Sequence, residues 1–141
     1  YDIVIDAGEH MNWVLTSESG SEYTLEGTGE ITVPTEETFT LERKAIIPIA
    51  YTLHQNYPNP FNPVTKIRFD LPEDADVQLS VYDVLGREVA ELVNSRMVSG
   101  FHEVIWDAND VSSGIYLCRL TTHSQNPSDR SLLTKKMVVV K

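Results

Sequence analysis

In Thr65-Lys66-Ile67-Arg68-Phe69-Asp70-Leu71 every second residue is apolar or small, and each residue between carries a charge. Successive side chains of an extended chain point to opposite faces, so Thr65, Ile67, Phe69 and Leu71 share one face and Lys66, Arg68 and Asp70 the other. That pattern predicts a half-buried antiparallel strand. The same period continues on either side of it. Val77, Leu79 and Val81 fall together with Gln78 and Ser80 opposite, and His102, Val104 and Trp106 alternate with Phe101, Glu103 and Ile105. Turn-forming residues interrupt these runs at Pro72 to Asp76, Leu85-Gly86, Ser99-Gly100, Asn109 to Gly114 and Gln125 to Asp129. Short alternating runs, regular turns and no helical period predict an all-β sandwich.

Further strands are expected in the first part of the chain at Asp2 to Asp6, Trp13 to Ser17, Tyr23 to Glu26, Glu30 to Val33 and Thr38 to Glu42, separated by Gly20, Gly27, Gly29 and Pro34. Five short strands make a thin core for a free-standing domain. Residues 1–50 are therefore expected to be the C-terminal part of an upstream β-rich domain plus a linker, with a second domain over 51–141. Between them Pro48, Pro58, Pro60 and Pro63 remove backbone donors, so Tyr57 to Pro63 must be extended or turned and cannot be a central strand. Tyr57 and Phe61 are placed to pin this segment to a core; a stiff linker is the simpler alternative.

The chain of 141 residues, 41% hydrophobic and 23% charged, has the balance of a folded globular protein. No apolar run reaches the roughly 18 residues that span a bilayer. The opening Tyr1-Asp2-Ile3 has neither a basic nor an apolar leader region, so any secretory signal is expected to have been removed or to lie upstream in a longer precursor. A formal charge of −10 argues against nucleic acid as a partner. The acidity is uneven, with ten acids against Arg43 and Lys44 in the first 50 residues and eleven against nine cations thereafter. Cys118 is the single cysteine, which excludes an internal disulfide and a CxxC metal site, and it is expected to be an inert buried thiol.

Catalytic patterns are missing. His10, His54, His102 and His123 lack HxH or HExxH spacing, and there is no GxSxG elbow or phosphate-binding glycine loop. Asp107, Asn109 and Asp110 could offer oxygens to calcium, but short carboxylates in a turn more simply satisfy local amides. No cofactor or metal is expected, nor an enzyme.

The segment Leu53-His54-Gln55-Asn56-Tyr57-Pro58-Asn59-Pro60-Phe61-Asn62-Pro63 is followed in order by VYDVLGREV (Val81 to Val89), GFHEVIWDA (Gly100 to Ala108), SGIYLCRL (Ser113 to Leu120) and KKMVVVK (Lys135 to Lys141). This set resembles the C-terminal sorting domains of proteins exported by the type IX secretion system, relatives of the immunoglobulin-like domain of flagellar hook-capping proteins. The resemblance covers roughly Leu53 to Lys141. It implies an immunoglobulin-like Greek-key sandwich of seven or eight strands, preceded by a shorter β-rich segment. It also implies a cargo that passes through the periplasm and ends secreted or on the cell surface. The implied partners are the outer-membrane secretion machinery, a sortase-like protease and an upstream passenger domain, with no membrane insertion.

The positions carried over as recognition candidates are Gly86 and Arg87, Gly114 and Tyr116, and Lys135, Lys136 and Lys141. Each has a structural alternative. Gly86 supplies φ > 0 for a hairpin, Arg87 and the lysines blunt an exposed strand edge, and Tyr116 packs inward if its phenol finds a backbone partner. Lys141, beside the last carboxylate of the sequence, is expected on an ordered strand as a handle for an acidic groove. The long loop expected over Thr121 to Ser131 departs from the family pattern. Two other functions compete: a carbohydrate-binding or adhesive module using Tyr1, Trp13 and Tyr23 as a platform, and a purely structural assembly role.

Overall fold

The computed structural model describes residues 2–6, 11–26, 28–35, 38–126 and 130–141, and these form twelve strands and no helix. The chain divides into two units, Tyr1–Ile47 and Pro48–Lys141. In the first, β1 (Asp2–Asp6) pairs antiparallel with β4 (Thr28–Thr32), while β2 (Met11–Ser17) lies between β3 (Glu22–Glu26) and β5 (Phe39–Ala45). Gly20, at φ +91°, closes the β2–β3 hairpin, where Ser17 Oγ accepts the Ser21 amide at 2.9 Å. Among the described residues, its buried apolar side chains are Val14, Leu15, Leu25 and Val33.

The second unit holds β6 (Thr52–Leu53), β7 (Val64–Leu71), β8 (Ala75–Asp83), β9 (Glu88–Met97), β10 (Gly100–Asp107), β11 (Gly114–Ser124) and β12 (Arg130–Val139). They form a three-stranded sheet, β10-β7-β6, and a four-stranded sheet, β12-β11-β8-β9. Chain-sequential strands switch between sheets at β7–β8, β9–β10 and β10–β11, giving the seven-stranded immunoglobulin-like sandwich that the alternation and the family resemblance predict. Ile67, Phe69 and Leu71 of β7 are buried with Val77, Leu79 and Val81 of β8, Cys118 and Leu120 of β11, and Met137 and Val139 of β12. Each such side chain withdrawn from water contributes about 1.5–3 kcal/mol. Trp106 closes one end of this core, 5.4 Å from the Phe61 ring and 5.7 Å from Tyr116. His102, half-buried, stacks on Phe69 at 5.3 Å, and its Nε2 bonds the Val98 carbonyl oxygen at 2.8 Å.

Burial pushes the Cys118 thiol up to about 12, so almost no thiolate exists near neutral pH. A maleimide reagent should therefore leave the native protein unmodified and label it once denaturant unfolds the sandwich; labelling at the same rate in both states would contradict this burial.

The proline-rich segment is part of the sandwich and closes one of its edges. Tyr57 exchanges backbone bonds with Lys66 at 3.0 and 2.9 Å, and Phe61 then pairs in parallel with the end of β12. The Phe61 amide donates to the Val138 oxygen and the Val140 amide to the Phe61 oxygen, both at 3.0 Å. Side chains complete the seam: Gln55 Nε2 donates to the Lys136 oxygen at 2.7 Å, and Asn59 Oδ1 accepts the Val138 amide at 3.0 Å. Thr65 and Asn56 hold the turn, both donating to the Pro58 oxygen. The peptide bonds before Pro58, Pro60 and Pro63 are cis. Two expectations change here. Tyr57 anchors through its backbone while its ring stays exposed, and Phe61 alone pins the segment to the core. The edge of β12, expected to lie open, has its groups from Lys136 to Val140 taken up by Gln55, Asn59 and Phe61.

The expected long loop over Thr121 to Ser131 is mostly strand. Residues Thr121 to Ser124 extend β11 and Arg130 and Ser131 begin β12, paired as Thr121↔Leu132 and His123↔Arg130. The opposite edge, β9, is shaped differently: its register against β8 shifts twice, leaving Leu92 and Val89 as extra residues. Such bulges twist an edge away from further pairing.

Candidate recognition surface

Three of the quoted motifs meet at one end of the four-stranded sheet. Strand β8 ends there at Asp83, β11 begins there at Gly114, and β12 ends there with Val139 opposite Gly114 and Asp83 opposite Tyr116. The turn after β8 is held by one carboxylate. Asp83 Oδ1 accepts the Arg87 amide at 3.0 Å and the Leu85 amide at 2.9 Å, while Oδ2 accepts Arg87 Nε at 2.7 Å. The Asp83 amide donates to the Arg87 oxygen and the Gly86 amide to the Asp83 oxygen. Gly86 has φ +83°, a conformation that costs a residue with a Cβ about 1–2 kcal/mol. Gly86 thus supplies turn geometry, and Arg87 is tied to Asp83.

The Arg87 amide, followed by its guanidinium and the Leu85 amide, holds Asp83 below its ordinary 3.8. Arg68 and then Lys66 likewise hold Glu103 below 4.5, at 2.8 and 3.2 Å. A carboxylate depressed on folding stabilises the fold above its unfolded pKa, and that contribution is lost as pH falls through the lower folded value. Acid titration of the unfolding midpoint should therefore show stability falling below those ordinary values, and Asp83→Asn should make the fall shallower. An unchanged slope in Asp83→Asn would contradict the assignment.

Gly114 opens β11 as an extended residue, not a turn. Tyr116, two residues on, is buried and donates from its phenol to the Ser112 oxygen at 2.7 Å. A tyrosine at the start of a strand bonding backbone four residues upstream fixes the corner where the chain changes sheets, as in immunoglobulin-like folds. It positions the loop. Lys141 lies beyond β12, where its amide donates to Ser113 Oγ at 2.9 Å and its Nζ to the Asn109 oxygen at 2.7 Å. Asp107 spends both carboxylate oxygens on Asn109, at 3.0 and 3.1 Å, which serves the turn reading of that acid cluster. Lys135 and Lys136 sit farther along β12, opposite Cys118 and Leu117, and both are exposed.

Sequence reasoning missed the outward residues of the same motifs. Tyr116, Cys118 and Leu120 face the core, so Ile115 and Leu117 face out, and they are 45% and 38% exposed. Val84 and Leu85 at the tip of the Asp83 turn are 69% and 75% exposed. The register sets Val138 beside Ile115, and Tyr82 and Lys136 on either side of Leu117. Arg119 lies over the Tyr82 ring, 4.5 Å from its centroid. The signal was available: in Gly114 to Leu120 both alternating sets contain apolar residues, where a solvent-facing set is normally polar.

Trp13 and Tyr23, named for the carbohydrate-binding alternative, are both half-buried. Both share a face with buried Leu15 and Leu25, and Tyr23 packs edge-on against Phe39 at 6.3 Å. Tyr1 lies outside the described residues.

Residues 55–139 match the family described as "Secretion system C-terminal sorting domain". No curated protein sequence matches the chain. Among solved structures it is similar to dimeric latent PorU from Porphyromonas gingivalis, at 16% identity and a TM-score of 0.50, over 94% of this chain and 16% of that one. The chain thus spans about a sixth of that protein, and at this identity the likeness is one of fold.

Proposed function

This chain belongs to the family of type IX secretion system C-terminal sorting domains, and from that premise we propose that residues 48–141 are the address of a cargo read by the outer-membrane export machinery. The family is one of proteins sent to the cell surface or secreted. In the proposed reading the folded sandwich is a binding module and carries no catalysis. Residues 1–47 are the end of the passenger it delivers, and a sortase-like protease acts on the cargo after export. The observation that carries this reading is the meeting of the VLGRE, SGIYL and MVVVK segments at one end of one sheet, with the Asp83 turn and the Lys141 contacts holding that end in shape. Gly86, Arg87, Gly114 and Tyr116 give that end its form, Lys141 gives it positive charge, and Lys135 and Lys136 add charge farther along β12.

The division of labour is tested by fusing a periplasmic reporter enzyme either to residues 1–47 or to residues 48–141 in a bacterium that has the system. The second fusion should reach the surface or medium and the first should remain in the periplasm. Export of the first, or retention of the second, would contradict the assignment.

A further inference from the structure

On the outward face of the four-stranded sheet, Ile115, Leu117 and Val138 form an apolar strip that continues into Tyr82, and the turn after β8 adds exposed Val84 and Leu85 at the same end. Solvent-facing strand positions are normally polar, and a contiguous apolar strip on one marks an interaction site. The charges bordering the strip differ by side. Along β9, Glu88 accepts the Ser80 hydroxyl at 3.3 Å, and Glu91 accepts Gln78 Nε2 at 3.3 Å and Asn94 Nδ2 at 3.2 Å. These acids already have neighbours within their own sheet. Among the described residues, the ion pairs of this unit use His54, Lys66, Arg68, Arg87 and Arg96, while Arg119 and Lys136, which share the outward face with Leu117, are left without an acid.

We infer that this strip is the docking face of the sorting module, and that its occupant is a protein surface presenting an apolar ridge bordered by carboxylates on the side that meets Arg119 and Lys136. The inference rests on the sorting function and specifies the partner's chemistry. In a chain of net charge −10, a cation cluster without internal acids is unusual, and it sits where the strip needs a charged rim to set orientation. A second copy docking face to face through the same strip would bring the acids nearest to it, Glu88 and Glu91, which are already hydrogen-bonded.

The test uses the full chain as the C-terminal part of an exported reporter. Ile115→Asp combined with Leu117→Glu should lower the exported fraction by about tenfold or more, since a charge placed in the centre of an apolar contact costs at least one order of magnitude in affinity. Arg119→Glu with Lys136→Glu should lower it too, and Arg119→Lys with Lys136→Arg should restore it. Ile105→Glu, on the outer face of the other sheet beside Lys66, should export normally. Thermal unfolding of each purified variant reports whether the fold survives, and Ile115→Thr with Leu117→Thr replaces the charged pair if it does not. Normal export by folded face variants would overturn the inference. So would sedimentation revealing a dimer that these substitutions convert to monomer, which would make a second copy the occupant. Failure of the sorting reading itself looks different, because the unsubstituted reporter would then stay in the periplasm.

Discussion

Phe69→Ala is expected to lower the stability of the 48–141 unit by about 3–5 kcal/mol, through lost burial and the cavity left behind. Phe69 is fully buried, stacks on His102 at 5.3 Å and faces His102 and Leu53 from the middle strand of its sheet. The site cannot collapse easily, because β7 is paired on both sides, to β10 and β6. A domain of this size holds only about 5–15 kcal/mol in total, so the loss is a large share of what keeps it folded. Urea unfolding of the wild-type and substituted chains measures it directly, and a midpoint shift equivalent to less than about 1 kcal/mol would contradict the placement of Phe69 at the core.

A chain ending at Lys136 is expected to lose cooperative folding of the second unit altogether. The missing residues include Met137 and Val139, both buried in the core. Two such side chains account for about 3–6 kcal/mol of burial. The entry segment would at the same time lose the Val138 and Val140 partners of Asn59 and Phe61, and the Asn109 loop would lose Lys141. Phe61 would be left with an unpaired amide and carbonyl beside Trp106, so the damage spreads to the end of the sandwich that carries the candidate surface. Near-ultraviolet circular dichroism of the shortened chain should lose the part of the tryptophan signal that Trp106 contributes, leaving that of Trp13 in the first unit; an unchanged signal with a sharp unfolding transition of the second unit would count against this picture. Substituting Lys141 alone removes only an exposed contact and should leave folding intact.

Most of the strands could be read directly because alternation is a local property: one sequence window holds both faces of β7, β8 and β10. The inward assignments of Trp106, Cys118 and Tyr116 followed from the same parity, as did the need for a partner to the Tyr116 phenol. What could not be read were contacts between distant parts of the chain. Gln55 meets Lys136 across 81 positions and Asn59 meets Val138 across 79, so nothing local to either segment announces that one seals the other. That seam explains why an edge expected to be open is closed. Prolines, which cannot serve a central strand, are here well suited to a segment that bonds each sheet at isolated points. The loop over Thr121 to Ser131 was overestimated because Thr121, Thr122 and His123 are polar, yet the pairing of β8 with β11 carries those residues into the sheet. The recognition residues were only half legible: glycine and lysine stand out in a motif, but Ile115 and Leu117 look like ordinary core residues until the register turns them outward.

The central claim is that a folded sandwich at the end of a cargo is what the export machinery reads. Its most direct measurement is the distribution of a reporter carrying residues 48–141, compared between a bacterium with a working type IX system and its isogenic strain lacking the translocon. The account predicts reporter at the surface or in the medium in the first strain and periplasmic accumulation in the second. The same distribution in both strains would contradict it.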